Sequence, residues 1–447
     1  MTFTGKDLIN AGIPQGPHIG IALREAKTLD EAIDIAKKHI LPVISLQNPL
    51  PILENIDVSD DEAELINYMA VMRSLEELTK TPVVKSAAIL PDACPAGSPG
   101  TIPVGSVVAS EGLHPGMHSS DICCSVAISV FNGADPEVVM EKVFKLTHFG
   151  PGGRTSEQAP KSHILKEFEG NPYLKDLIPL AISHNMTQGD GNHFAFVGTL
   201  KSTGEVALVT HHGSRGPGAK LYKRGMVVAN QYRQKLSPQT LKQNAWIPEG
   251  TKDCDNYWSA LQTIREWTKY NHFDLHDIVS YQTGYNVKDR FWNEHNFVFR
   301  KSDGLFYHAK GSTPAFKNWA PDATDLTLIP LNMAEPVLIT RGSDSDNSLG
   351  FSPHGAGRNY SRTAHKKLHE DKNDHELFES ETEGLDVRFF CGQIDISELP
   401  SAYKNAASVK RQIEEMNLAE VIDEVLPYGT VMAGDWEHNM PWKKRVK

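Results

Sequence analysis

The chain runs to 447 residues, 40% of them hydrophobic and 23% charged, with a formal net charge of −11. That is apolar content enough for one large globular domain or two ordinary ones. The acidic balance excludes non-specific binding of nucleic acid through overall charge, so an anionic partner has to be met by a local patch of Arg and Lys. The five cysteines, Cys94, Cys123, Cys124, Cys254 and Cys391, are odd in number and scattered, which points to a reducing compartment rather than a disulfide framework. The first residues lack a basic segment followed by an apolar one, and no run of about 18 apolar residues occurs. The expectation is a soluble, cytoplasmic protein with no membrane partner.

Residues 1–84 are expected to form a helical N-terminal extension. Leu29 to Ile40 reads as a short amphipathic helix, and Asp61 to Lys80 carries Leu65, Met69, Met72, Leu75 and Leu78 near a 3.6-residue period. A proline-rich link, Leu41 to Pro51, separates them. From Val83 the texture changes to short β-like runs, Val104 to Ala109, Ser125 to Phe131, His193 to Leu200 and Glu205 to Thr210, set between Gly/Pro turns and helices. Pro217 to about Gln282 reads as helical, with Trp258, Leu261 and Ile264 spaced for one face and Trp267 beside them, a stripe suited to a core. Strands and helices mix without regular βαβ alternation, so the expected class is α+β, with one intertwined domain over 85–447.

Several polar motifs carry chemistry. Asp121-Ile122-Cys123-Cys124 precedes a β-like run, and a carboxylate and a thiolate three residues apart can reach one divalent cation across a tight turn. A buried cysteine beside a capping aspartate is an equal reading of the same residues. Gly189-Asp190-Gly191-Asn192-His193-Phe194 delivers His193 to the head of a strand, and His211-His212-Gly213-Ser214-Arg215-Gly216 ends the next one with groups suited to an oxyanion. Glu294-His295-Asn296 follows. In Ser352-Pro353-His354-Gly355-Ala356-Gly357-Arg358, with Ser361 and Arg362 beyond, small residues leave an imidazole open and arginines stand close by. Each histidine alone is more often structural. Four of them beside Gly or Asn in polar motifs, together with Asp121 and Cys124, point to a shared site.

The order Pro91-Asp92, Ile102 to Gly105, Asp121-x-x-Cys124, Gly191 to Phe194, His211-x-Gly213 to Gly216, His295-Asn296, His308-x-Lys310-Gly311-x-Thr313 and His354 to Arg362 resembles the RtcB family of RNA-splicing ligases, from residue 85 to Gly429. The resemblance implies an α+β domain, an RtcB-like mixed sheet with a central metal cleft. It implies two Mn2+ ions there, although Zn2+ or another divalent ion would bind the same ligands. It also implies a nucleotide-dependent RNA ligase of tRNA splicing and RNA repair, joining a 3′-phosphate or 2′,3′-cyclic phosphate to a 5′-hydroxyl with GTP or another NTP, with an archease-like activator as a further partner. On this reading Cys124 bridges the metals, Asp121 and His193 bind one, His211 and His295 bind the other, and His354 is the nucleophile. Asn192, Phe196, Ser343, Ala356, Gly357, Tyr403 and Met432 fall at the nucleotide. Asp92, Arg215, Asn296, Lys310, Arg358 and Arg362 fall at phosphate or RNA.

The chain departs from the family at named places. Phe196 stands where the family has a glutamate that reads the guanine edge, and Met432 where it has a lysine at the nucleotide, which implies altered base selectivity. Met117 and Ser119 occupy usual glycine positions before Asp121. Asp435 to Lys447, with Trp436, Trp442, Lys443, Lys444 and Arg445, extends past the usual family end and would cover the nucleotide pocket, touch RNA or lie in solvent. The departures leave two other functions open: a metal-dependent phosphoesterase acting on RNA ends, and a catalytically silent RNA-end binder.

Overall fold

The computed structural model describes residues 3–39, 43–59, 61–154 and 160–436. Helices Gly5–Asn10, Pro17–Glu25 and Leu29–His39 close around their own small cluster of Phe3, Leu8, Ile13, Ala22, Ala26, Ala32 and Ala36. The next helix, Glu62–Thr79, starts where Asp61 accepts from the N–H groups of Ala63 and Glu64, the capping role of a short carboxylate at a helix start. Its buried stripe differs from the expected one. Val71, Leu75 and Leu78 are buried, whereas Leu65 and Met69 are 47% and 62% exposed. The reason is that only the C-terminal half of this helix packs on the following sheet, against Val84, Ala87 and Ile89. Residues Ile52–Glu54, just past the proline-rich link, add a parallel strand beside Ala87–Ile89 of that sheet.

This first sheet runs in the order Ile52–Glu54, Val84–Cys94, Val104–Ser110, Phe306–Lys310, Asn296–Arg300. The second and larger sheet has the order Leu326–Pro330, Val337–Gly342, Ala419–Met432, Phe194–Leu200, Val206–His212, Ser125–Phe131, Val287–Glu294, with Asp386–Phe389 also pairing to Ala419–Met432. Its two edge strands approach each other, since Leu328 N–H donates to Asn293 Oδ1 at 2.8 Å. The sheet is therefore nearly closed into a barrel.

Strand alternation decides what fills it. Val126, Ile128 and Val130 point inward with Phe196, Val209 and Leu328. Ser125 and Ser129 point outward to the helix Lys252–Thr283, where Ser125 Oγ meets His272 Nε2 at 3.0 Å and Ser129 Oγ meets His276 Nδ1 at 2.8 Å. Both faces are buried, so these strands read as continuous rather than alternating runs. The expected helical stretch from Pro217 is two helices, Arg215–Leu236 and Lys252–Thr283, and the second keeps Leu261, Ile264 and Trp267 in the core as the spacing predicts. No helix among the described residues is long and apolar enough to cross a membrane.

Candidate metal centre

One rim of the near-barrel gathers residues far apart in sequence. Ser125 lies opposite both His212 and Glu294, and Phe194 opposite both His211 and Met432. Antiparallel neighbours start and finish on the same rim, so Cys124, His193, His211 and His295 fall side by side. The turn before the first of these strands is closed by Cys124 N–H donating to Asp121 O at 3.3 Å, with Cys123 at φ 56°. Ser119, at one of the usual glycine positions, sits at φ 73°, a conformation that costs a non-glycine residue on the order of 1 kcal/mol.

Cys124 Sγ stands 3.4 Å from His193 Nε2 and 3.1 Å from His211 Nε2. His193 Nε2 is 3.1 Å from Asp121 Oδ2, and His211 Nε2 is 3.2 Å from His295 Nε2. The tautomers follow from the far side of two rings. His193 Nδ1 donates to Gln188 O at 2.7 Å and His211 Nδ1 to Asn192 O at 3.2 Å. A carbonyl only accepts, so both Nδ1 atoms carry the proton and both Nε2 lone pairs point to the centre. At His193 such a lone pair faces a carboxylate oxygen. A divalent cation satisfies these acceptors together, and the ligand atoms of Cys124, His193 and His211 lie within 4.8 Å of one another. His295 Nδ1 is buried with no hydrogen-bonding partner among the described residues.

The electrostatics suit the same occupant. Burial pushes the Cys124 thiol well above its ordinary range, and the Asp121 carboxylate adds to that. Burial likewise holds His211 and His295 well below the ordinary imidazole value, with neighbouring imidazoles contributing. Burial would raise Asp121, but the positive charge and hydrogen bonds around it outweigh that and hold the carboxyl at about 2. The set is thus neutral imidazoles, a carboxylate and a thiol that a bound cation would ionise, a mixed N, O and S donor set compatible with manganese or zinc.

His354 is delivered by the short strand Phe351–Pro353, paired with Ser312–Pro314. Its N–H donates to Asp92 Oδ2 at 3.1 Å, and its Nδ1 lies 2.6 Å from the same oxygen. Since the carboxylate accepts, Nδ1 carries the proton and Nε2 keeps its lone pair. The ring is 4.7 Å, centroid to centroid, from that of His295. Gly357, at φ 73°, is required by the approach of this turn to the Asp92 backbone: a Cβ there would stand 2.2 Å from Asp92 O.

A cavity of about 370 Å3 opens above these groups and is lined by Asp121, Cys124, His211, His295 and His354, by Asn192, Asn296 and Lys310, by Ala356, Gly357, Arg358, Arg362 and Tyr403, and by Phe196 and Met432. Lys310 is depressed to about 8 by burial, and Asn296 Oδ1 accepts from Gly311 N–H at 2.7 Å. Four expected residues do not line the cavity. His193 stands behind Cys124 and Asp121, and fully buried Asp92 stands behind His354. Arg215 donates to Thr187 Oγ1 and Gly150 O beside the His193 loop. Ser343 follows the strand Val337–Gly342, with its N–H on Leu418 O.

Trp436 packs against Gly150 and the cluster around Phe149, away from the cavity, and Trp442, Lys443, Lys444 and Arg445 lie outside the described residues. Three groups escaped the sequence reading. Gln188 serves through its backbone carbonyl, which no side-chain motif records. Cys94 lines the cavity two residues after Asp92. Glu398, also lining it, stands five residues before Tyr403, and that proximity was the available signal.

The chain is similar to known proteins of one family. The sequence profile of a family described as tRNA-splicing ligase RtcB matches residues 175–433. The tRNA-splicing ligase RtcB of Methanococcus maripaludis is 23% identical over 403 residues, covering 71% of this chain and 82% of that protein. The RNA-splicing ligase RtcB of Escherichia coli K12 is 26% identical over 377 residues, 76% of this chain and 88% of that protein. The tRNA-splicing ligase RtcB of Aeropyrum pernix is 25% identical over 287 residues, and there the chain spans 58% of the relative's length.

Proposed function

This chain belongs to the RtcB family, and on that premise we propose that it is a metal-dependent RNA ligase that joins an RNA 3′-phosphate or 2′,3′-cyclic phosphate to a 5′-hydroxyl through a nucleotide carried on His354. The observation that carries this reading is the placement of His354 and the Cys124 cluster in one cavity, with the imidazole held by Asp92 in the tautomer that leaves Nε2 nucleophilic. Asp121, Cys124, His193, His211 and His295 would hold two Mn2+ ions, or Zn2+ in their place. Bound there, the cations offset the charge on phosphate oxygens.

His354 Nε2 forms a bond to the α-phosphorus of GTP or another NTP, the bond to the bridging oxygen breaks, and pyrophosphate leaves. A 3′-phosphate oxygen of the RNA then takes the nucleotidyl group, the P–N bond breaks and the imidazole is restored; a cyclic end is first opened by water. The 5′-hydroxyl attacks the activated 3′-phosphate, gives up its proton and expels the nucleoside monophosphate. Arg358 and Arg362 on the cavity wall suit phosphate oxygens, and Lys310 adds a third cation.

The test is joining of two RNA fragments, one ending in a cyclic phosphate and one starting with a 5′-hydroxyl, with Mn2+ and each of the four NTPs, with and without an archease-like activator. Joining that depends on an NTP is the expected result. Consumption of the cyclic end without any NTP and without joining would make the protein a phosphoesterase instead. Binding of the ends with neither reaction would make it a silent RNA-end binder.

Base choice belongs to the same proposal. Phe196 and Met432 meet the cavity from adjacent strands, both almost fully buried, and neither carries a group that accepts from guanine N–H donors. Phe196→Glu is expected to raise the preference for GTP over ATP. A charge-assisted bond worth about 1.5–3 kcal/mol corresponds to roughly a tenfold to hundredfold change. Competition between the two nucleotides for the adduct measures it, and an unchanged ratio would remove Phe196 from the base.

A further inference from the structure

We propose that Glu398 is a positioning residue that fixes the two guanidiniums of the cavity for a polyphosphate; this rests on the nucleotide reading above for its physiological ligand, though not for its test. Glu398 is 2% exposed and lines the cavity with Arg358, Arg362 and Tyr403. Arg362 Nε donates to its Oε1 at 2.6 Å, while Arg358 NH1 at 3.3 Å and the Tyr403 hydroxyl at 2.5 Å reach its Oε2. A carboxylate taken out of water needs such partners, and here all three line the same cavity as the metal ligands.

The carboxylate is itself held still. It rides on the short turn Ile396–Glu398, which Asp395 caps by accepting from Ser397 N–H at 3.1 Å and Ser397 Oγ at 2.7 Å, and which lies between buried Ile396 and Leu399. Arg362 depends on it more than Arg358 does. Arg358 donates besides to Tyr360 O and Ser397 O and lies 5.0 Å over the Tyr403 ring, so its plane is locked. Arg362 is half exposed. Its Nε edge is taken by Glu398, and its NH2 lies 2.8 Å from where a Cβ on Gly191 would stand. The fork is thereby turned toward the loop that carries Asn192 and His193. The two guanidiniums that share this carboxylate also repel each other, and its single negative charge offsets this.

The prediction separates positioning from folding. In the full-length, manganese-loaded protein, calorimetry with inorganic tripolyphosphate should show binding in the wild type and at least tenfold weaker binding in Glu398→Gln. The amide presents an N–H2 to donors and carries no charge, so the arginines lose their anchor. Ser401→Ala, a change three residues further on that lies outside the cavity and leaves both arginines on the carboxylate, should bind within about threefold of the wild type. With cobalt in place of manganese, the thiolate-to-cobalt absorption should be the same in all three proteins. Equal tripolyphosphate affinity in Glu398→Gln, no binding by the wild type, or loss of the cobalt band in Glu398→Gln would each overturn the proposal. Failure of the wild type to form a histidine-nucleotide adduct would sink the ligase mechanism while leaving this calorimetric comparison to decide the role of Glu398.

Discussion

Replacing His354 with alanine is expected to abolish the nucleotide adduct and to lower RNA joining by on the order of 10^4-fold or more, the scale on which loss of a covalent nucleophile is felt. That is a loss of roughly 5.5 kcal/mol of transition-state stabilisation. The fold should survive, because the backbone bond to Asp92 Oδ2 is made by His354 N–H, which alanine keeps. The side-chain bond at Nδ1 is lost, and it leaves Asp92 with one donor fewer in a fully buried position. A modest fall in stability, about 1–3 kcal/mol, accompanies the change. Intact-mass measurement after incubation with Mn2+ and NTP reads the adduct. An adduct of the same mass on the alanine variant would place the nucleotide elsewhere and remove His354 from the mechanism.

The second large effect is expected at Cys124. Its sulfur lies within 3.4 Å of both His193 Nε2 and His211 Nε2, and a serine hydroxyl there does not ionise against neighbouring imidazoles as a thiol can under a bound cation. Cys124→Ser should weaken metal binding by at least about a hundredfold, since loss of an outer-sphere partner alone costs about 10–100-fold. Joining should fall with it. The spectroscopic signature is specific: cobalt bound to the wild type gives a thiolate charge-transfer band, and the serine variant should give none. Retention of that band would mean that another cysteine, Cys94 in the same cavity, is the ligand.

Much of the site was legible in the sequence because its residues announce themselves by type. Histidines next to glycine or asparagine stand at strand ends, and strand ends of an antiparallel sheet share a rim, so Cys124, His193, His211 and His295 converge for a reason that local pattern can carry. His354 was legible from the small residues around it, and the need for Gly357 appears in the backbone contact with Asp92. The closing of the sheet was not legible, because it depends on Leu328 meeting Asn293, two residues brought together only by the register of seven strands. Glu398 was missed for a similar reason. A carboxylate in a loop looks solvated until the arginines it holds fold over it, and those arginines belong to a segment some forty positions earlier, a contact that no local window contains.

The helix Glu62–Thr79 makes the opposite point. Its period was right, but which part of the stripe was buried depended on how far the neighbouring sheet extends, and that length is a tertiary fact. Backbone carbonyls were equally invisible: Gln188 O and Asn192 O set the tautomers of two imidazoles without any side-chain signature.

The account turns on whether Asp121, Cys124, His193, His211 and His295 hold cations beside His354. Crystals of the full-length protein grown with Mn2+, with diffraction recorded at the manganese absorption edge, would test it most directly. The account predicts anomalous peaks bonded to Cys124 Sγ and to the Nε2 atoms of His193 and His211, in the same cavity as the free Nε2 of His354. A map with no peak there, or with manganese bound only at carboxylates elsewhere on the surface, would contradict it.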